Sequence, residues 1–543
     1  MIELTPNTGQ FRTSITSVTV VIRFVMLIAV TMLAACGGGG GGAAASSPPP
    51  PPSSAWQQGV FLDASTFFAR CAAPRAGNNP ATGQPYQDIQ GMTLDENNFL
   101  RSYSDDTYLW YDEISDQDPG LFTDPLVYFD ELRTTATTPS GADKDKFHFT
   151  FDSDEWFQLS QSGASVGYGA EFVLLSAVPP REVVVAFTEP NSPATDPLVN
   201  LARGATLLAI DGVDINDSTQ AGIDVLNAGL FPAGAGEMHT FEVLDLGAQN
   251  SRPVTMTTEI ITEDPVQNVS IINTPTGDVG YMLFNAHRAP AEAELIGAIN
   301  FLQGVSDLVL DIRYNGGGFL DMAGQLAYMI AGAGLTAGQT FEQLQFNDKH
   351  PSTDPVTGQP LSPTPFYNQT LGFSVAAGQA LPTLNLSTVY VLTGPNTCSA
   401  SEAIMNGLRG IGVNVIQIGS TTCGKPYGFY PTDNCGTTYF TIQFRGVNAM
   451  NFGDYTDGFS PANTVANIGT VVPGCSVGDD FTAQLGDTSE GRLAAALAYR
   501  TTQSCPAPSG LAQPGFSKPG APLSATDGII RRSLWDSNRI YRR

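Results

Sequence analysis

Residues 389–425 read VYVLTGPNTCSASEAIMNGLRGIGVNVIQIGSTTCGK. Two short apolar runs, Val389–Leu392 and Val413–Ile418, are rich in β-branched residues, as buried strands are. Between them Glu402–Leu408 is expected to be helical. The alternation continues upstream, with strands expected at Val279–Phe284 and Leu308–Ile312 and helices at Ala291–Leu302 and Leu320–Ile330. Strands that alternate with helices argue for a layered α/β domain with a largely parallel sheet, here residues 265–503. Functional groups in such sheets gather at the carboxyl ends of the strands. Thr393–Glu402 and Gly419–Lys425 both fall there.

Before this core the texture changes twice. Residues 56–160 read as a helical domain: Leu94–Ile114 sets Phe99, Tyr103, Leu109, Trp110 and Tyr111 at mostly helical spacing, and a second helix is expected over Pro125–Thr135. The aromatic stripe reads as core. Residues 161–264 carry short apolar strands, among them Glu182–Phe187 and Ala205–Ile210. With Gly167-Tyr168-Gly169, Asn191–Ala194 and Leu207–Gly212 as landmarks, this stretch resembles a PDZ domain, although Ala205 stands where the family carries Asp. The resemblance implies a groove in which a peptide adds as a strand, its terminal carboxylate held by the turn of Gly167, Tyr168 and Gly169. A small β-domain without a ligand is the alternative.

The chain has 543 residues, with 25 Lys plus Arg against 52 Asp plus Glu, a formal charge of -27. So acidic a chain lacks the basic footprint that nucleic acid requires. Residues 1–35 read as an export leader: Arg12 and Arg23 precede the apolar run Phe24–Ala34, too short to cross a bilayer. Leu33-Ala34-Ala35-Cys36 resembles the bacterial lipobox, which implies a lipid on Cys36 and a mature chain beginning there. An uncleaved anchor over Val18–Ala35 is the alternative, interrupted by Arg23. Residues 36–55 form a Gly- and Pro-rich tether, and residues 504–543 read as a flexible tail that becomes basic at its end. The periplasmic side of a membrane is the expected location, the outer membrane ahead of the inner because no acidic residue follows Cys36. In that oxidising compartment the six remaining cysteines can form up to three disulfides. Cys423 with Cys435, flanking a turn-rich segment, is the expected pair. Neither a metal site nor a cofactor is expected, since zinc-finger spacing and HExxH are both missing from the sequence.

Ser399 sits at a helix start, where free N–H groups and the dipole favour a developing anion. Ser399-x-x-Glu402 is equally a capping box, which requires no catalysis. Lys425, one of only five lysines, emerges at the end of the next strand. A lysine desolvated beside a serine can take its hydroxyl proton. Gly419–Lys425 also nearly spells a phosphate-binding loop, but Pro426 occupies the magnesium-binding Ser/Thr position. Asn315-Gly316-Gly317-Gly318 ends a buried strand, where glycine amides can face a substrate oxygen. An ordinary turn reads the same way.

Together, Asp311–Gly318, Ser399-Ala400-Ser401-Glu402 and Gly424-Lys425 resemble the C-terminal processing peptidases, or tail-specific proteases, a serine-peptidase family. The resemblance implies a crotonase-like catalytic core, with Ser399 as nucleophile, Lys425 as general base and Glu402 orienting the lysine. The amides of Gly317 and Ala400 would form the oxyanion hole. Protein or peptide substrates with free C-termini would be the partners, the membrane being met through Cys36. The sequence departs from the family at Gly316, where Pro is usual, and in a serine-to-lysine interval about one residue longer. Three alternatives stand beside this reading: Ser401 as nucleophile, His287 as base, or a non-catalytic peptide-binding scaffold on the same fold.

Overall fold

The computed structural model describes residues 56–506 and 539–541, except Ala81, Gly163, Ala177, Ala466 and Ile468. The expected leader, Cys36, the tether and most of the tail lie outside the described residues.

The central sheet has six strands in the order Val266–Ile272, Val279–Phe284, Asp307–Asp311, Thr388–Thr393, Asn414–Gly419 and Gly474–Ser476. Val266–Ile272 runs antiparallel to its neighbour, and every other pairing is parallel. Layers cover both faces, which is why the strands are continuous apolar runs rather than alternating ones. The pleat divides each run between two cores. Met282, Phe284, Leu308, Leu310, Val389, Val391 and Val415 pack with helices Ala291–Phe301, Leu320–Ala331 and Ala400–Gly410. Tyr281, Leu283, Val309, Tyr390, Leu392, Ile416 and Ile418 pack on the other face with helix Gly491–Thr502.

In the N-terminal region Thr93–Thr107, Pro125–Glu131 and Ser153–Ser162 are helical. The helix expected to reach Ile114 stops at Thr107. Tyr108 is fully buried, and the Leu109 amide donates to the Ile442 carbonyl at 2.8 Å, so contact with the core overrides the helical pattern. Strand Phe149–Asp152 pairs with Thr437–Phe440, and Cys71 is disulfide-bonded to Cys435. Cys423 therefore does not pair with Cys435. The turn-rich segment between them sends Tyr427–Gly428 to one sheet and Thr432–Asn434 to another, which carries the two cysteines apart. Cys423 bonds Cys398, and Cys475 bonds Cys505.

Residues 170–257 form a separate sheet in the order Arg252–Thr257, Met238–Leu244, Thr206–Ile210, Glu182–Thr188 and Ala170–Ser176, with helix Gln220–Leu230. Phe172, Val185, Leu207, Leu226 and Phe241 fill a core of their own. The two ends of the region close on each other, Ala164–Gly167 pairing antiparallel with Glu259–Thr262.

A buried charge network joins this region to the central sheet. Arg313, fully buried, binds Asp311 at 2.8 Å, Asp479 at 2.7 Å and Glu490 at 2.7 Å. Asp479 also takes Arg203 at 2.7 Å and the Tyr314 hydroxyl at 2.6 Å. Burial works against ionising Asp479, but the guanidiniums around it hold its pKa far below the usual carboxylate range. Removing one partner leaves uncompensated buried charge. Arg313→Ala is therefore expected to lower stability by about 3–5 kcal/mol, read as a fall in the calorimetric unfolding temperature; an unchanged temperature contradicts the network's role.

Candidate active site

Strand Thr388–Thr393 ends in a loop held from below. Thr397 Oγ1 donates to the Ile312 carbonyl at 2.8 Å, and the Cys398 amide donates to the Asn315 carbonyl at 3.1 Å. The next residue, Ser399, has φ 63° and ψ -117°. A non-glycine residue rarely adopts such backbone, and it persists only where the surroundings impose it. The turn presents Ser399 at the start of helix Ala400–Gly410. Its Oγ is buried and has no hydrogen-bond partner among the described residues. Glu402 does cap this helix start through the Ser399 amide, so the capping reading of Ser399-x-x-Glu402 stands beside the catalytic one. Ser401 is different: its Oγ donates to the Asn315 carbonyl at 3.1 Å, a structural use of its hydroxyl.

Glu402 is fully buried, and its carboxylate gathers four donors. Oε2 accepts the amides of Ser399 at 3.0 Å and Lys425 at 2.8 Å. Oε1 accepts the Gly424 amide at 2.9 Å and the Thr422 hydroxyl at 2.5 Å. Since one oxygen binds both amides, the Ser399 and Lys425 nitrogens are closer than the sum of those two distances. Burial pushes the Glu402 pKa up, and the four donors pull against that push. The Glu402 contact with Lys425 is to its main chain. The same two segments are joined again by the Cys398–Cys423 disulfide, with Cα atoms 5.2 Å apart, and by the Cys423 amide donating to the Thr397 carbonyl at 3.0 Å. Cys398, Glu402 and Cys423 cluster closely enough to suggest a metal site, but the disulfide uses both sulfurs.

Lys425 is fully buried. Its Nζ lies 4.2 Å from the ring centre of Phe429 and 4.7 Å from that of Phe147. Phe147 comes from the N-terminal region, as does Lys146, whose Nζ donates to the Cys423 carbonyl at 2.8 Å. Burial lowers the Lys146 pKa against the pull of Glu402. Sequence reasoning did not place Lys146 at the site. Its only signal was the scarcity of lysines.

The glycine segment lies against the nucleophile: a Cβ on Gly317, whose φ is 105°, would stand 2.8 Å from Ser399 Cβ and 3.0 Å from the Ala400 nitrogen. Only glycine fits there. Ala400 opens the helix, so its N–H has no partner within the helix. The Gly317 amide, expected to be open for an oxyanion, instead donates to Asn315 Oδ1 at 2.9 Å. The Asn315 side chain closes this turn and takes up the donor. Asn315 Oδ1 also meets His287 Nδ1 at 3.0 Å, and Asn315 Nδ2 donates to the Phe284 carbonyl at 2.9 Å. With Oδ1 as acceptor, the network assigns the His287 proton to Nδ1. Burial pushes the His287 pKa down to about 3, too low for an effective base near neutrality.

A cavity of about 680 Å³ runs from Gly316–Gly318 and His287 to Gly167, Tyr168 and Gly169. Gly169 has φ 72°, and a Cβ there would clash with Ser192. The Tyr168 ring is buried against Phe241, and its hydroxyl donates to the Gly229 carbonyl at 3.0 Å. That side chain serves the core, which leaves the turn's backbone to face the cavity.

Residues 278–430 match the sequence profile of peptidase family S41. The matched stretch is the one that carries Ser399 and Lys425. A crystal structure from Bacteroides fragilis, assigned by name to the S41 proteases, is 23% identical with a TM-score of 0.56, covering 77% of this chain and 98% of its own. It shows the shared fold. The photosystem II D1 C-terminal processing protease is 18% identical with a TM-score of 0.40, over 68% of this chain and 92% of its own. No curated protein matches the chain.

Two expectations follow. Glu402→Gln sets an amide NH₂ against two of the four donors, so it is expected to lower stability by about 2 kcal/mol or more, read by thermal unfolding; neutrality contradicts the carboxylate's role. Glu189, buried beside the cavity, has its pKa raised to about 8, first by burial and then by Glu263 and Asp264. Below the ordinary glutamate pKa both folded and unfolded chains carry the proton; between there and about 8 only the folded chain retains it, so this group makes stability fall as pH rises through that window. Glu189→Gln should therefore raise the unfolding temperature at pH 9, with the gain vanishing by pH 4. An equal gain at both pH values contradicts the account.

Proposed function

We propose that this chain is an exported, lipid-anchored serine endopeptidase that uses a Ser399/Lys425 dyad on proteins engaged through their C-termini. The observation that carries the reading is the Ser399 hydroxyl, buried, without a hydrogen-bond partner among the described residues and set on strained backbone, with its amide on the same carboxylate oxygen as that of Lys425. Strain and an idle buried hydroxyl both cost stability, and sites of chemistry are where such costs are retained.

Ser399 Oγ attacks the peptide carbonyl carbon while neutral Lys425 takes the hydroxyl proton. The carbonyl oxygen becomes an oxyanion facing the Ala400 amide and, once its bond to Asn315 is released, the Gly317 amide. Collapse breaks the C–N bond, and the Lys425 ammonium returns its proton to the leaving amine. Water then attacks the acyl ester, giving a proton to Lys425 that passes back to Ser399 Oγ as the acid departs. Residues 161–264 would act as the PDZ-like module and Gly167–Gly169 as its carboxylate turn. The cavity shared with Gly316–Gly318 supports delivery from one to the other.

One observation favours a second reading. The engaged Gly317 amide suits a peptide-binding scaffold that does not catalyse. The test uses the exported chain with an unfolded protein bearing an apolar, free C-terminus, beside Ser399→Ala and Lys425→Ala. Loss of cleavage by at least about 10³-fold in both variants is expected. Binding without cleavage in all three supports the scaffold, and full cleavage by Ser399→Ala removes the dyad.

A further inference from the structure

The sequence reads residues 504–543 as a flexible basic tail, yet Arg539–Tyr541 is a strand. It runs parallel to Gly317–Phe319 in the register Gly317 to Arg539, Gly318 to Ile540 and Phe319 to Tyr541, and it also packs beside Tyr427–Gly428. These two elements flank the site. Gly317 abuts Ser399, and Tyr427 is two residues beyond Lys425. A peptide paired with Gly317–Phe319 is therefore paired with a residue that abuts Ser399.

We propose that the edge of Gly317–Phe319 is a binding site for an extended peptide backbone, and that the Arg539–Tyr541 segment of this chain occupies it in cis. The competition with substrate rests on the peptidase reading above; the strand binding does not.

The hydrogen-bond pattern fixes which edge is available. The Gly317 carbonyl accepts the His287 amide at 3.0 Å, and the Phe319 amide donates to the His287 carbonyl at 2.9 Å. His287 therefore fills one edge. In a strand, successive residues turn their N–H and C=O groups to opposite edges. Gly318 is left to serve the other, donating to the Arg539 carbonyl and accepting from the Tyr541 amide, the pattern of a parallel pair centred on Gly318 and Ile540. Gly317 and Gly318 offer no side chains, so recognition on this edge is by backbone, as when a peptide adds to a sheet.

About thirty residues separate Pro506 from Arg539, and an extended chain covers roughly 3.3–3.6 Å per residue. A three-residue ladder binds weakly in trans, but tethering raises the effective concentration to about the millimolar range. The segment is also basic, with Arg531, Arg532, Arg539, Arg542 and Arg543, in a chain of net charge -27.

Tyr541→Pro removes the amide that reaches Gly318 and leaves the residues placed at the site untouched. In full-length Ser399→Ala protein, which keeps the measurement independent of turnover, a fluorescein-labelled peptide of residues 530–543 is titrated by anisotropy. Binding at least about tenfold tighter to Ser399→Ala/Tyr541→Pro than to Ser399→Ala is expected, because the edge has been vacated. Hydrogen exchange provides the second measurement: the Gly318 amide should exchange faster in the double variant and regain protection when the peptide is added. Equal peptide binding to both proteins, no binding to either, or Gly318 exchange that Tyr541→Pro leaves unchanged overturns the proposal. With Ser399 restored, Tyr541→Pro should lower KM for an added protein substrate. If neither protein with Ser399 cleaves anything, the peptidase reading fails while the binding measurement still decides the strand site.

Discussion

The Glu402 carboxylate is the constraint on which the site depends. A fully buried carboxylate is tolerated only when its oxygens are satisfied, and here four donors from two strand-end loops converge on it. Each donor by itself would be an unmet polar group in a dry interior. The loops that carry Ser399 and Lys425 are therefore held to one point by the cost of letting either go. The Cys398–Cys423 disulfide adds a covalent tie between the same loops. Two unlike constraints, one electrostatic and one covalent, converge on one geometry.

Topology puts those loops side by side before any side chain acts. Thr388–Thr393 and Asn414–Gly419 are adjacent parallel strands, so their carboxyl ends emerge together at one edge of the sheet. Asp307–Asp311 lies on the other side of Thr388–Thr393 and delivers Asn315 and the glycines. Asn315 then ties this third loop to the nucleophile loop, its carbonyl accepting both the Cys398 amide and Ser401 Oγ. Behind the glycines, Arg313 anchors the same strand end to Asp479 and Glu490. Phe147 and Lys146, from far away in sequence, close the lysine side.

Strong periodic signals in the sequence carried most of the fold. Val279–Phe284, buried at every position, could be read as a strand because covered parallel strands are uninterrupted apolar runs. Ser399, Lys425 and Glu402 were legible because their loops follow such strands. What escaped depends on non-local pairing. The Leu109 contact with Ile442 shortens a helix that local spacing extends, and the partners of Cys71 and Cys435 lie 364 residues apart. Asn315 taking the Gly317 amide could not be read either, because Asn-Gly-Gly is compatible with an open or a closed turn. The strand at Arg539–Tyr541 has no pattern of its own; it exists where the glycine edge gives its backbone partners.

The most direct measurement of the central claim is covalent capture of the nucleophile. The protein would be treated with a fluorophosphonate and digested, and the adduct located by tandem mass spectrometry. A single adduct on Ser399, lost when Lys425 is replaced by Ala, is the result this account predicts. An adduct on Ser401, or a Ser399 adduct that forms at the same rate without Lys425, would contradict it.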